Sequence, residues 1–163
     1  MCIRDSTTKL RNDHHLARDV EGAFQRSLDA LGLAYVDLYL IHWPMPKVDA
    51  YVDTWRTFET FAGDGRAKSI GVSNFLVPHL ERLLRETDTV PAVNQVELHP
   101  VFQQPELREF QAKHGILTEA WGPLGQGKYD LFGFELTAEE MAAIDGLDEN
   151  RRVGGNPLDV NGA

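Results

Sequence analysis

One apolar run of this sequence ends in a histidine followed by a proline. Residues 37–44 read DLYLIHWP, so His42 directly follows a stretch typical of a buried strand. Imidazole exchanges a proton near neutral pH, and α/β barrels carry their chemical groups at the carboxyl ends of their strands. We therefore predict that His42 is a site residue at the end of a parallel strand.

Further strand-like runs carry polar side chains. Residues 7–10 read TTKL and include Lys9, whereas residues 68–75 read KSIGVSNF and residues 94–100 read NQVELHP. Trp121 ends another run and opens the glycine-rich loop 122–127. An aromatic face suits a flat cationic ring, and glycines let backbone amides approach an anion.

The elements that position these residues follow a regular alternation. Apolar segments begin near residues 7, 38, 68, 93 and 117, and a helix-like pattern follows each of the first four. This βα alternation predicts a parallel sheet. The first helix should end at Gly32 and bury one face, formed by Leu16, Val20, Ala23, Phe24, Leu28 and Leu31. After Trp121 the alternation stops, and a capping box from Thr137 to Glu140 predicts a last helix.

Together these motifs resemble the aldo-keto reductases, and within them the bacterial 2,5-diketo-gluconate reductase-like branch. The resemblance implies an α/β fold that is an incomplete (β/α)8 TIM barrel. About five parallel strands, the family's third to seventh, would be present with a C-terminal helix. The first two strands would be missing, as would the seventh helix, eighth strand and eighth helix at a junction near Gly133 and Phe134.

On this interpretation residues 1–163 are a single partial barrel domain. Residues 148–163 form a polar tail that lies over the surface or is disordered. Arg151 and Arg152 would only add solubility there. Glu97 and His99, after the fourth of the five strands, are expected to make structural hydrogen bonds at the barrel mouth.

The resemblance also implies catalytic roles. Family members reduce carbonyls with an Asp, Tyr, Lys and His tetrad, in which tyrosine is the acid. Lys9 and His42 match the lysine and the histidine, and Trp43 is expected to line a substrate pocket. The aspartate and the acid tyrosine have no matching positions, because none of the four tyrosines, which are Tyr35, Tyr39, Tyr51 and Tyr129, lies in the family's acid motif.

The resemblance implies a nicotinamide cofactor as well. Ser73, Asn74 and Gln95 match residues that hydrogen-bond the carboxamide, and Trp121 matches the aromatic that stacks on the ring. The loop residues that match the pyrophosphate strap are Gly122, Leu124, Gly125 and Gln126. NADPH is the implied cofactor and NADH is not excluded, because the family's motif for the adenosine 2′-phosphate has no counterpart in this sequence.

Simpler roles stay open for several of these residues. Lys9 could be a solvated lysine at a strand end, residues 73–74 could form only a turn that starts a helix, and Trp121 could be a core aromatic. The six histidines lack the spacing of metal ligands, so we expect no metal site.

Composition excludes several classes of partner. A net charge of −9 offers no basic face for nucleic acid, and no apolar run is long enough to span a membrane. A single cysteine fits a reducing compartment, so we expect a cytoplasmic protein without a signal peptide. The partner would be a small carbonyl compound, and the oligomeric state is open.

Two functions remain in competition. The first is NADPH-dependent reduction of aldehydes, ketones or keto-sugars to alcohols in a parent enzyme of the family. The alternative is a catalytically inactive fragment, or a derivative that binds nicotinamide or has a regulatory role, which the absent tyrosine and aspartate favour.

Overall fold

The computed structural model describes residues 5–15, 17–127, 137–152 and 154–159. Within them, five parallel strands form one sheet whose spatial order follows the sequence. Neighbours in space that are also neighbours in sequence are what a (β/α) barrel requires. The predicted α/β class with five parallel strands is confirmed. The strands are β1 (Thr7–Leu10), β2 (Val36–Ile41), β3 (Ala67–Ser73), β4 (Val93–Glu97) and β5 (Leu117–Trp121).

A helix follows each of the first four strands, as the alternation predicted. The helices are α1 (Ala17–Leu31), α2 (Tyr51–Gly63), α3 (Val77–Glu86), α4 (Pro105–Lys113) and α5 (Ala138–Asp145), with 3-10 turns at Asn12–His14 and Gly125–Gly127. Gly32 ends α1 with a φ of 65°, a conformation that favours glycine. The capping box before α5 is confirmed, because Oγ1 of Thr137 accepts a hydrogen bond from the backbone amide of Glu140 at 3.2 Å. The predicted junction near residues 133 and 134 lies outside the described residues.

The core lies between the helices and one face of the sheet. Tyr39 of β2 stacks on Phe58 of α2 at 4.5 Å between ring centroids, and Phe24 of α1 stacks on Phe61 at 4.3 Å. Most of the predicted α1 face is buried in this cluster. Leu16 lies outside the described residues, and the expectation for Leu31 is wrong, because its side chain in the last turn is 49% exposed.

The opposite face of the sheet is open toward β5. Alternation along the strands turns Leu40, Gly71 and Leu117 away from the helices, and Leu40 is fully buried whereas Leu117 is 69% exposed. Among the described strands, β1 and β5 each pair with a single neighbour. A sheet with one covered face, one open face and two edges has the form of part of a barrel. No helix among the described residues is long and apolar enough to cross a membrane.

Gly71 on this open face is essential to the sheet geometry. A Cβ there would lie 2.7 Å from the backbone oxygen of Val93 and 2.7 Å from Leu40 Cδ2. We expect Gly71→Ala to lower the urea concentration at which half of the helical ellipticity is lost, since overpacking costs about 1–3 kcal/mol. Gly63→Ala is the control, because a Cβ at Gly63 meets nothing within 4 Å and alanine favours helix. Equal midpoints for the two variants would contradict the prediction.

Candidate active site

The predicted site residues lie at the carboxyl ends of the strands. Lys9 and His42 come from the ends of β1 and β2, Ser73 and Asn74 from the end of β3, and Gln95 and Trp121 from β4 and β5. Ser73 pairs with Gln95 in register, and Gln95 pairs with Glu119. This alternation brings the side chains of distant motifs to one end and one face of the sheet.

A chain of polar contacts joins β1 to β5 across this face. The ammonium of Lys9 donates to Oε1 of Gln95, and Nε2 of Gln95 donates to Oε1 of Glu119 at 2.9 Å. Burial lowers the pKa of Lys9, and the negative charge of Glu119 opposes that shift. Lys9 is therefore not the solvated lysine of the simpler interpretation. Sequence reasoning missed Glu119, although it lies two residues before Trp121 and so on the same face of β5.

His42 lies beside this chain at the end of β2. Burial, and secondly the charge of Lys9, lower the pKa of His42. The His42 ring centroid lies 6.1 Å from that of Trp43, which is half-buried. His15, which sequence analysis treated only as a possible metal ligand, is fully buried, and its pKa is lowered to about 4 by burial and then by His42. The pKa values of both histidines are thus lowered, chiefly by burial.

The amide of Asn74 organises the other half of the site. Its Nδ2 donates to the backbone oxygen of His42 at 3.0 Å, and its Oδ1 accepts the indole Nε1 of Trp121 at 2.7 Å. Ser73 donates from Oγ to the backbone oxygen of Gln95 at 2.8 Å. Asn74 takes a left-handed φ of 62°, and the N-cap of α3 is Leu76, so Asn74 does not start that helix.

The predicted strap loop follows directly after Trp121. Gly122, Gly125 and Gln126 all have positive φ values, and the amide of Gly125 donates to the oxygen of Gly122 at 2.8 Å in a tight turn. Leu124 at its tip is exposed. The φ of Gly122 is 64°, a conformation that favours glycine.

These groups fit a nicotinamide. The indole of Trp121 is half-buried rather than enclosed in the core, and it is held by Asn74, which itself contacts Ser73. Amide and hydroxyl groups beside an aromatic face match the two sides of an aromatic carboxamide. The described residues contain no group of three or more His, Cys, Asp or Glu that could hold a metal ion.

The three described tyrosines are placed elsewhere. Tyr39 packs among core aromatics on the helix side of the sheet, and Tyr51 packs edge-on against Phe75. Tyr35 is exposed, with the Lys68 ammonium 4.7 Å from its ring centroid. The fourth, Tyr129, lies outside the described residues. No described tyrosine hydrogen-bonds to Lys9 or His42.

Glu97 and His99 lie at the end of β4, beside the C-terminal residues. Nε2 of His99 and Oε1 of Glu97 are 3.1 Å apart and both side chains are fully buried, which confirms the predicted structural bond.

The interpretation of Arg152 as a purely solubilising charge is wrong. Its guanidinium lies 4.6 Å from the ring centroid of Phe102, and burial lowers its pKa while Glu97 opposes the shift. Arg151 is exposed and pairs with Glu149.

Comparison with known proteins identifies the family and the fold. Residues 7–132 match the model of the Aldo/keto reductase family, which is most of the chain. An aldo-keto reductase of Mycobacterium sp. (strain JLS) is 40% identical, with 94% of this chain and 72% of the relative aligned. The chain belongs to the aldo/keto reductase family. That alignment runs over 200 positions, more than the 163 residues present here, so the relative has residues inside the aligned region that this chain lacks.

Three further similarities extend the comparison. Methylglyoxal reductase DkgA of Yersinia pestis is 51% identical over 130 residues, which cover 80% of this chain and 46% of that protein. A crystal structure of Gox0644 without ligand superposes with a TM-score of 0.87 at 38% identity, covering 94% of this chain and 74% of Gox0644. A Gox0644 variant in complex with NADPH gives a TM-score of 0.85 at 39% identity, covering 93% of this chain and 73% of the variant.

Proposed function

We propose that this chain carries the nicotinamide site and part of the carbonyl site of an NADPH-dependent reductase of small aldehydes, ketones or keto-sugars. The observation that carries the proposal is the continuous set of contacts from Lys9 through Gln95 to Glu119, with His42, Asn74 and Trp121 linked beside it. These side chains come from all five strands. Similarity to a methylglyoxal reductase and to an NADPH complex supports the substrate class and the cofactor.

Each residue of the proposed site has a separate role in binding or orienting the reactants. When bound, NADPH supplies a hydride to the carbonyl carbon. Trp121 offers its ring face to the nicotinamide, while Ser73, Asn74 and Gln95 offer hydrogen-bonding groups to its carboxamide. The His42 ring can donate an N–H hydrogen bond to a carbonyl oxygen and so orient it. Lys9 adds a positive charge near the place where negative charge develops on that oxygen.

The carbonyl oxygen also needs a proton from a general acid. In the described residues no tyrosine hydrogen-bonds to Lys9 or His42, and Tyr35, Tyr39 and Tyr51 pack elsewhere. This observation favours a second candidate function, in which the chain binds nicotinamide without reducing a carbonyl. Both candidates share the same cofactor site and differ only in turnover.

Binding of NADPH tests the shared part of the two candidates. We expect NADPH to quench tryptophan fluorescence with a midpoint well above 1 μM, because the motif that would hold the adenosine 2′-phosphate is absent from the sequence, and micromolar affinity already requires about 8 kcal/mol of contacts. Trp121→Ala should abolish the quench, whereas Trp43→Phe, which alters a neighbour of His42, should retain it. A sub-micromolar midpoint would refute weak binding, and a quench that survives in Trp121→Ala would refute the stacking assignment.

A further inference from the structure

Glu97 lies where the end of β4, the end of β5 and the C-terminal residues meet. It is the last residue of β4, it pairs in register with Trp121 of β5, and it is fully buried. A buried carboxylate is costly unless polar groups surround it. One of its partners is His99, at 3.1 Å, and the backbone amide of Gly154 donates to both carboxylate oxygens, at 3.1 and 3.2 Å.

Gly154 in turn contacts the indole of Trp121. A Cβ built on Gly154 would lie 2.3 Å from Trp121 Cη2 and 3.2 Å from Cζ2, so the glycine backbone fits directly against the six-membered ring. The same Cβ would lie 3.1 Å from Oε2 of Glu97. Only a residue without a side chain can occupy this space while the amide still reaches the carboxylate.

Arg152 also attaches the C-terminal residues near Glu97. Its guanidinium covers the ring of Phe102 and is electrostatically attracted to Glu97. The backbone amide of Glu149 also donates to the oxygen of Val101 at 3.2 Å. The C-terminal residues are thus attached to the loop after β4 at several described positions, and Gly154 is the one that touches Trp121.

The indole is consequently restrained at two places. Asn74 accepts its Nε1 hydrogen at 2.7 Å, and Gly154 packs against Cη2 and Cζ2 of its six-membered ring. Rotation about the side-chain torsions of Trp121 would break the first contact or run into the second. Since a rigid aromatic loses little freedom when a ring stacks on it, such restraint favours ligand binding.

We propose that Glu97 is a positioning residue for the nicotinamide site: by holding Gly154 against Trp121 it fixes the indole on which the ring would stack. The inference rests on the proposed function for the identity of the ligand. The position of the indole does not depend on that function, because the contacts that hold it are made by the chain itself.

The test uses the full chain labelled with 5-fluorotryptophan and observed by fluorine NMR. Its three tryptophans are Trp43, Trp55 and Trp121, and a Trp121→Phe sample assigns the Trp121 resonance. Without cofactor, Glu97→Gln and Gly154→Ala should each shift or broaden that resonance, because the first weakens the hold on Gly154 and the second forces the ring aside. Trp55, which is buried and donates to the oxygen of Thr89 at 3.1 Å, should keep its resonance and so report an intact fold.

Matched controls are an exposed carboxylate and an unconstrained glycine. Glu149→Gln alters an exposed side chain that pairs with Arg151, and Gly63→Ala adds a Cβ in open space, so neither should move the Trp121 resonance. On titration with NADPH, the midpoint should rise about tenfold in Glu97→Gln relative to the unmodified chain, which corresponds to ~1.4 kcal/mol.

The outcomes separate the two hypotheses. If NADPH leaves every resonance unchanged in the unmodified chain while Glu97→Gln still moves Trp121, the proposed cofactor is wrong and the positioning role of Glu97 stands. If the Trp121 resonance is the same in Glu97→Gln as in the unmodified chain, the positioning role is overturned. It is also overturned if both chains bind NADPH with the same midpoint, or if Trp55 moves together with Trp121, since the effect is then a general loss of structure.

Discussion

Mixed with NADPH and methylglyoxal, the 163-residue chain is expected to turn over no faster than its His42→Ala variant. Reduction needs a proton at the carbonyl oxygen as well as a hydride at the carbon, and a positioned general acid contributes about 10²- to 10⁴-fold to the rate. The described tyrosines pack in the core or lie exposed beside Lys68, and none hydrogen-bonds to Lys9 or His42. The rate is measured at saturating aldehyde as the loss of NADPH absorbance when NADPH is oxidised to NADP⁺.

A rate of about 1 s⁻¹ or more, within the ordinary range of enzymes, would show that another residue supplies the proton. Tyr129 is then the first residue to test, because it is the tyrosine whose surroundings the structure does not describe. Loss of that activity in Tyr129→Phe, but not in Tyr35→Phe, would identify Tyr129 as the acid. Lys9→Met separates charge from acidity, because it removes the ammonium and leaves every hydroxyl in place.

The sheet could be predicted from the sequence because each strand is a local pattern. An apolar run, a polar residue at its end and a helix after it recur through the first four units, and only a parallel sheet accommodates that repeat. The observed strands begin within two residues of the predicted positions. Leu31 was misplaced because the apolar period continues into the last turn of α1, beyond the point where the helix leaves the core.

Much of the candidate site could also be predicted, since its residues lie in short motifs at strand ends. Glu119 could not, because its importance depends on Gln95 of the neighbouring strand, which turns one amide group toward Lys9 and the other toward Glu119. The contacts of the tail could not be predicted for a similar reason. A polar, glycine-rich composition predicts exposure on average, but the contacts of Arg152 with Phe102 and of Gly154 with Glu97 join parts of the chain that are distant in sequence.

The open face of the sheet leads to an equally large expected effect on folding. Taken alone, the 163-residue chain should bind a hydrophobic dye such as anilinonaphthalene sulfonate and should lose its structure over a broad temperature range. Among the described strands, β1 and β5 each lack a second neighbour, and Leu117 is 69% exposed on the face that a closed barrel would fill. Unpaired strand edges recruit other chains, so light scattering should detect association.

Two variants separate the sheet face from general surface hydrophobicity. Leu117→Ser should reduce dye fluorescence, whereas Leu158→Ser, which removes a leucine 48% exposed in a turn near the C-terminus, should change it little. Supplying the first two βα units and the segment from the seventh helix to the eighth helix from a relative should give a monomer with a sharp transition, because the added strands pair both edges and bury the open face. A sharp transition and a monodisperse monomer for the chain alone would mean that its inner face finds a closed packing of its own. The assignment of β1 and β5 as barrel strands awaiting neighbours would then be wrong.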